Sequence, residues 1–364
     1  RAIESEVGVS PVMLAQTRRL ALAKQLLHDT RLPMTEIAHA SGFSSVRRFN
    51  SAVQTRFGRA PTMLRKEHGS RPDDGTFTLR LDYRPPFDWD HLLEFLGDRA
   101  MHGIERVEGS TYVRAVPIGK RVEEVRVDND AARSRVVATV PVLLAPKAME
   151  ISARLRHLFD LDARPDVIEK ILGADSMLGT AVKKQRGTRV PGAFDPFEIA
   201  IRSVLGQQVT VRGATTLARR FVEKFGTSVT RSARSQIAYV FPSAERVANA
   251  HVADVRAIGM PEARAKTLVS VARAIDDGHL VLSSSEDPMR AIDVMTGITG
   301  IGNFTSQVVA MRALRHADAF PSSDLGVRKA LGGAKPRDLE ARSESWRPWR
   351  AYAVVHLWRS HHGG

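Results

Sequence analysis

Two glycines separated by one residue, Gly300 and Gly302, limit what this chain can fold into more than any other feature. They sit in the run Met295-Thr-Gly-Ile298-Thr-Gly-Ile-Gly-Asn-Phe304-Thr-Ser306, whose spacing predicts a tight hairpin between two helices. Lacking side chains, such glycines let backbone N–H groups approach a phosphate, and the N-terminus of the second helix adds a favourable dipole. A Gly-x-Gly alone is a weak signal. Here Phe320-Pro-Ser-Ser-Asp324-Leu-Gly-Val327 follows, with Asp324 placed 22 residues after Gly302. Asp324 also stands where a helix opening at Leu325 would take its N-cap.

The net charge of +14 points to a polyanionic partner, because neutralising phosphates releases condensed counterions and drives association. High charge also serves solubility alone, so the motifs must decide. With 364 residues, 43% of them hydrophobic, the chain has apolar material for two or three domains. The absence of cysteine excludes disulfides, iron–sulfur clusters, cysteine-ligated zinc and thiol nucleophiles. Apolar runs such as Val136–Pro146 fall short of the roughly 20 residues that span a bilayer. The expectation is a cytoplasmic protein with no membrane partner.

Residues 1–68 read as helices: Leu20, Ala23, Leu26 and Leu27 recur at helical spacing, Leu32-Pro33 interrupts, and a further helix is expected from Thr35. Residues 69–75 have linker composition. Residues 76–147 change to period two, with Phe77, Leu79, Leu81 and Tyr83 alternating with polar residues, then strand-like runs at Tyr112–Val116, Val122–Val127 and Arg135–Val140. A helix from Trp89 to about Gly103 separates the first two runs. Residues 148–364 read as helical almost to the end, where Asp195-Pro196 has the form of an N-cap followed by proline at the first helical position. Phe197, Ile201, Val204 and Leu205 supply an apolar stripe, and Leu217, Phe221 and Phe225 repeat ahead of Gly226. The fold class expected is mainly α with one small α+β domain built on an antiparallel sheet.

The run Met34-Thr-Glu-Ile-Ala-His-Ala-Ser-Gly42-Phe43-Ser-Ser-Val-Arg-Arg-Phe49-Asn50 has helix-turn-helix logic, with Gly42 at the turn and the second helix starting at Ser44 or Ser45. Ser44, Ser45, Arg47, Arg48 and Asn50 are candidates for DNA contact, Arg47 and Arg48 with phosphates, while Phe43 and Phe49 pack inside. With Phe57-Gly58-x-x-Pro61, this segment resembles the second half of the AraC-type DNA-binding domain. The blander reading is a three-helix accessory bundle. Val12–Asp29 matches the joining helix of that family and Arg1–Ser10 the end of its first unit, so the resemblance implies a longer parent protein.

The hairpin and Asp324 resemble the helix-hairpin-helix DNA glycosylases, and residues 76–364 look most like the AlkA-type 3-methyladenine enzymes of that superfamily. Phe87-Asp-Trp89, Phe95-Leu-x-x-Arg99, Leu205-Gly-Gln207-Gln208-Val209 and Trp346-x-Pro-Trp349-Arg-x-Tyr352-Ala-x-x-His356-Leu-Trp358 are further matching segments, in order. The fusion resembles bacterial Ada–AlkA proteins, which implies an upstream methyltransferase domain with zinc-binding cysteines. Implied are an antiparallel-sheet AlkA N-terminal domain, an all-helical glycosylase domain, and double-stranded DNA containing alkylated bases as partner of a monomeric, nucleoid-associated protein.

The chemistry has its own logic. A damaged base must leave the stack before water reaches its sugar, and an alkylated purine is already a good leaving group, so positive charge on the deoxyribose is what remains to be stabilised. One carboxylate near the anomeric carbon does that, as in glycoside hydrolysis. The resemblance gives this role to Asp324. Relatives that also cleave the strand carry a lysine two residues after the second glycine, to form a Schiff base. Phe304 stands there, so a monofunctional glycosylase is expected.

A substrate pocket is expected from Phe304, Val308, Trp358 and Arg99, since aromatic faces attract an electron-deficient base. Phe304 could instead be core, as Trp346 and Trp349 are expected to be, and Arg99 could be a surface salt-bridge partner. Val308 and Arg359 stand where tyrosines occur in the best-known member, so the pocket should be less aromatic. Gln208 takes the place of the side chain that wedges into the vacated duplex position, with Gln207, Gly300, Gly302 and Thr305 as further DNA contacts. No cofactor is required. The carbonyls of Thr296, Ile298 and Gly300 are a candidate monovalent-cation site, which any turn would resemble in sequence. The alternatives are an Ada-like regulator whose glycosylase half is inactive and a glycosylase for another lesion. Asp324 speaks against the first, Phe304 and the lack of cysteine against lyase-type and iron–sulfur forms of the second.

Overall fold

A computed structural model describes residues 10–66, 75–119, 121–229, 239–283 and 285–362. Most of the expected linker and the Arg1–Ser10 reading, except Gly75 and Ser10, lie outside the described residues. The chain divides into two compact units, one of residues 1–82 and 113–153, the other of residues 83–112 and 154–364.

In the first unit, α1 (Pro11–Asp29), α2 (Met34–Ala40), α3 (Val46–Phe57) and α4 (Pro61–Lys66) precede β1 (Thr76–Asp82). Ser10 caps α1 by accepting from Met13 N at 3.3 Å, with Pro11 at the first helical position. Leu20, Ala23, Leu26 and Leu27 are buried, as their spacing predicts. Gly42 turns the chain at φ +80, and Ser45 caps α3 by accepting from Arg48 N. Phe43 and Phe49 meet edge to face at 5.6 Å in the interior, which leaves Ser44, Arg47, Arg48 and Asn50 on the exposed side. Strands β1, β5 (Arg135–Pro141), β4 (Arg121–Asp130) and β3 (Thr111–Ile118) follow in that hydrogen-bonded order, and β1–β5 and β5–β4 are antiparallel. The pairing Thr76↔Pro141 through Asp82↔Arg135 turns Phe77, Leu79 and Leu81 inward together, the consequence of a side-chain period of two.

The second unit opens with α5 (Trp89–Asp98) and β2 (Glu105–Glu108). The helix expected to reach Gly103 thus ends at Asp98. Met101 and Ile104 are buried, which sustains the apolar pattern, but Gly103 takes φ +86 and turns the chain into a strand that sequence spacing did not reveal. Helices then dominate: α6 (Ala148–Leu158), α7 (Pro165–Leu172), α8 (Gly179–Lys184), α9 (Pro196–Leu205), α10 (Val211–Phe225), α11 (Ala244–Ala248), α12 (Val252–Arg256), α13 (Glu262–Asp276), α14 (Pro288–Thr296), α15 (Asn303–Ala313), α16 (Leu325–Ala330), α17 (Pro336–Ser343) and α18 (Arg350–His362). A small hairpin, β6 (Thr227–Ser228) with β7 (Tyr239–Val240), interrupts them. Asp195 caps α9 through Phe197 N and Glu198 N, with Pro196 behind it. One continuous core holds Phe221, Leu268, Ala310 and Trp346, so that Trp346 is core as expected. None of the described helices is long and apolar enough to cross a membrane.

Two histidines of this unit make it sensitive to acid. His157 donates from Nε2 to Arg312 O, and His356 from Nδ1 to Gln185 Oε1, both at 2.9 Å. Burial, then a neighbouring arginine, pulls each down to about 4. The folded histidines bind a proton only near that pH, whereas the unfolded chain binds one near 6.5, so unfolding takes up protons. Stability is full above about pH 6.5 and falls toward pH 4 by about 1.4 kcal/mol per unit per histidine. Asp160, raised by burial to about 6, works in the opposite sense over about pH 4–6. Urea melts at neutral pH and near pH 5 should show the net loss, and a His157→Gln, His356→Gln variant should flatten it.

Candidate active site

The glycine pair does form a hairpin between helices, α14 and α15, but its two members differ physically. Gly300 sits at φ +90, and a Cβ there would lie 2.1 Å from Thr267 Oγ1. Gly302 is extended at φ −100, ψ −179, and has open space around it. Thr267, on α13, donates to Thr299 O at 2.8 Å and so ties the hairpin to the body of the unit. Gln207 ties it from the other side: Nε2 donates to Gly300 O and to Thr305 Oγ1, each at 3.0 Å. Thr305 is buried. Half-buried Gln207 and buried Thr305, both expected at the DNA, thus also brace the hairpin.

Gln208 is exposed and holds φ +54, in the left-handed region that non-glycine residues seldom enter. Val209 and Val211 beside it are 38% and 41% exposed. An amide flanked by apolar groups at a strained turn suits a wedge, and such strain concentrates at functional positions.

Beside this turn opens a cavity of about 500 Å3, a size that suits a small ligand. Its walls include every residue expected of the pocket: Phe304, Val308, Trp358, Arg99 and Asp324. Asp324 caps α16 by accepting from Val327 N at 2.7 Å, and the same Oδ1 accepts from Trp358 Nε1 at 2.9 Å. Both roles foreseen for this carboxylate are thus compatible, since no hydrogen bond to Oδ2 forms among the described residues. Gly326 leaves room for the arrangement, because a Cβ there would lie 3.1 Å from Asp324 Oδ1 and 3.2 Å from Trp358, closer than ordinary van der Waals contact. Asp318, by contrast, is bound by Arg350 at 2.8 Å and by Arg347.

Arg99 is not a surface ion-pair partner. Its guanidinium lies 3.9 Å over the Phe95 ring, and Nη1 donates to Phe95 O at 3.3 Å. Phe95 stacks at 6.2 Å on Trp358, which links this end of the cavity to Asp324. Arg359, at one of the missing tyrosine positions, turns instead to Asp88 at 2.8 Å and to Thr188.

Sequence reasoning missed Phe95, Arg202, Arg312, Leu325 and Lys329 as pocket residues, all of which line the cavity. A signal for Arg312 existed, since Phe304, Val308 and Arg312 recur every four residues and share one face of α15. Arg202 is held between Glu105 (2.8 Å) and Glu198 (3.0 Å), and it also donates to Arg99 O. Burial lowers its pKa, but the two carboxylates more than reverse this and raise it. Arg202→Met should destabilise the protein by about 3–5 kcal/mol, because it strips the cation from between two buried carboxylates. A chemical melt checks this.

Of the candidate cation ligands, Ile298 O accepts from Ile301 N and Gly300 O from Gln207, which leaves each carbonyl a second lone pair. The helix-turn-helix candidates Ser44, Ser45, Arg47, Arg48 and Asn50 lie on the other unit, where Ser45 serves also as a cap and Ser44 accepts from Arg48.

Comparison with known proteins places these features. A model for the AlkA N-terminal domain matches residues 78–195, one for a helix-turn-helix domain residues 1–67, and one for HhH-GPD superfamily base excision DNA repair proteins residues 201–350. The chain is 37% identical to a probable bifunctional transcriptional activator/DNA repair enzyme AlkA of Mycobacterium tuberculosis, over 98% of this chain and 73% of that one. It is 33% identical to DNA-3-methyladenine glycosylase 2 of Escherichia coli, over 76% and 95%. A 3-methyladenine DNA-glycosylase from Archaeoglobus fulgidus shares the fold, with TM-score 0.68 and 20% identity over 78% of this chain and 98% of that one.

Proposed function

This chain belongs to the AlkA family of DNA-3-methyladenine glycosylases, within the HhH-GPD superfamily and joined to an AraC-type helix-turn-helix segment, and from that premise we propose how its site works. An alkylated base, swung out of duplex DNA, enters the 500 Å3 cavity while the hairpin grips the backbone through its N–H groups. Gln208 fills the vacated position and hydrogen-bonds the orphaned partner base. As the glycosidic bond breaks, Asp324 stabilises the positive charge on the sugar and orients the attacking water. The observation that carries this reading is Asp324 on the cavity wall with Oδ1 fixed by Trp358 and the helix it caps.

Phe304 rather than lysine on the hairpin means that no amine at that position attacks the sugar, so the base leaves and the strand stays whole. No organic cofactor is needed. A monovalent cation on the carbonyls of Thr296, Ile298 and Gly300 would rigidify the hairpin without entering the chemistry. The helix-turn-helix segment supplies a second DNA contact through Arg47, Arg48 and their neighbours, consistent with a regulatory role.

The test is incubation with duplex DNA methylated at purine nitrogens, followed by chromatography of released bases and a denaturing gel of the strand. Free 3-methyladenine with an uncut strand is expected. No released base would sink the proposal, and tight binding to abasic DNA without excision would favour a regulator with an inactive glycosylase half.

A further inference from the structure

The cavity wall opposite Asp324 in chemical character carries positive charge. Arg99 and Arg312 both approach the Phe95 ring, with guanidinium carbons 3.9 and 5.2 Å from its centroid. Arg202, the third arginine in the lining, is ion-paired with both Glu105 and Glu198. Neither Arg99 nor Arg312 has a carboxylate within ion-pair distance among the described residues. Arg312 donates instead to backbone, to Pro191 O at 2.8 Å and Gly192 O at 3.4 Å, so its direct partners are dipoles, with Glu105 and Glu198 acting on its charge only from beyond ion-pair distance. Burial, then Arg202 and Arg99, pulls it down to about 9 against the opposing pull of Glu105 and Glu198, which still leaves it cationic at neutral pH. The cavity is therefore polarised, with two guanidinium groups that lack a direct carboxylate partner around Phe95, Asp98, Glu105 and Glu198 acting on them from farther off, and the Asp324 carboxylate hydrogen-bonded to Trp358.

This polarity treats two kinds of lesion differently. A base alkylated at a ring nitrogen is cationic in DNA, so when the C1′–N bond breaks and the electron pair goes to the base, it departs neutral. It needs no help from a cation, and fixed positive charge opposes its entry. An uncharged lesion base takes the same electron pair and departs as an anion, which a guanidinium stabilises most in a site shielded from water. In both cases the oxygen of water bonds to C1′. Its proton passes to solvent or to the anionic base, and no oxidant or reductant is involved.

We propose that Arg99 and Arg312 form the leaving-group side of the site and set the ratio in which this protein excises uncharged and cationic lesion bases. The inference rests on the glycosylase reading above and deepens it. Arg99 is the accessible member and Arg312, reaching the same ring from α15, is the fixed one.

Single-turnover excision measured on duplexes carrying hypoxanthine, an uncharged base, or 7-methylguanine, a cationic one, tests it. Arg99→Gln should slow hypoxanthine release about tenfold or more, the effect of losing one charge-assisted hydrogen bond, and lower the ratio of hypoxanthine to 7-methylguanine release by at least as much, since losing the charge does not hinder a cationic base. Arg99→Lys, which keeps the charge, should recover most of the hypoxanthine rate. Arg312→Gln, shown to be folded by circular dichroism, should repeat the selective loss; should it fail to fold, the two Arg99 variants decide. Equal loss on both substrates, or an unchanged hypoxanthine rate in Arg99→Gln, overturns the proposal. So does wild type that releases 7-methylguanine but not hypoxanthine, which leaves the glycosylase reading intact. If wild type releases neither, the glycosylase reading itself fails.

Discussion

Asp324→Asn is expected to slow release of methylated purines by about 100- to 1,000-fold, the range seen when one preorganised charge-stabilising group is lost, while the fold survives almost unchanged. The reason for the asymmetry lies in the two duties of this side chain. Asparagine is as good an N-cap as aspartate, and its amide oxygen still accepts from Val327 N and from Trp358 Nε1. What it lacks is the negative charge that opposes the developing cation on the sugar. Thermal melting should place the variant within about 1 kcal/mol of wild type, and its affinity for abasic duplex should hold. Asp324→Ala would confound the two duties, since it removes the cap as well. Unimpaired base release by the Asp324→Asn protein would show that the carboxylate does not act in the reaction.

Gly300→Ala should be the most disruptive single-methyl change in the hairpin. At φ +90 any other residue is strained, and the new Cβ would lie 2.1 Å from Thr267 Oγ1 and 3.2 Å from Thr267 Cβ. Strain in the backbone and overpacking each cost about 1–3 kcal/mol, so a loss of about 3–5 kcal/mol is expected in urea denaturation, together with loss of DNA binding. Removing the obstructing hydroxyl with Thr267→Ala should recover part of this, a non-additivity that identifies the contact, although that change also gives up the bond to Thr299 O. Gly302→Ala is the control. Its backbone is extended and nothing lies within 4 Å of a Cβ, so its stability should fall by no more than about 1 kcal/mol, the cost of a poorer N-cap for α15. The main effect of Gly302→Ala should appear in DNA affinity, where a methyl group would hold a phosphate away from the hairpin.

Much of the molecule follows from rules that act over a few residues. The caps at Ser45 and Asp195, the turn at Gly42, the alternation of Phe77, Leu79 and Leu81, and the hairpin itself all come from preferences of neighbouring residues, and each stands where its spacing puts it. Where such a rule met a competing one, it failed. The helix expected from Trp89 to about Gly103 ends at Asp98, the chain turns at Gly103 in the left-handed region, and β2 went unseen because so short a strand carries too little alternation.

The sequence alone determined that a helical hairpin precedes an aspartate able both to cap a helix and to face a substrate, because turn chemistry and capping are local. It could not distinguish Gly300 from Gly302, since the difference is Thr267, which lies on another helix. Nor could it show Gln207 turned inward onto Gly300, 93 residues away, or Arg202 between carboxylates that include Glu105, 97 residues back. The cavity and its polarity are properties of packing: Phe95 from α5, Arg99 just past its end, Arg312 from α15 and Trp358 from α18 meet only because separate segments bury their apolar faces in one core, and charge acts through the resulting space without regard to the chain between.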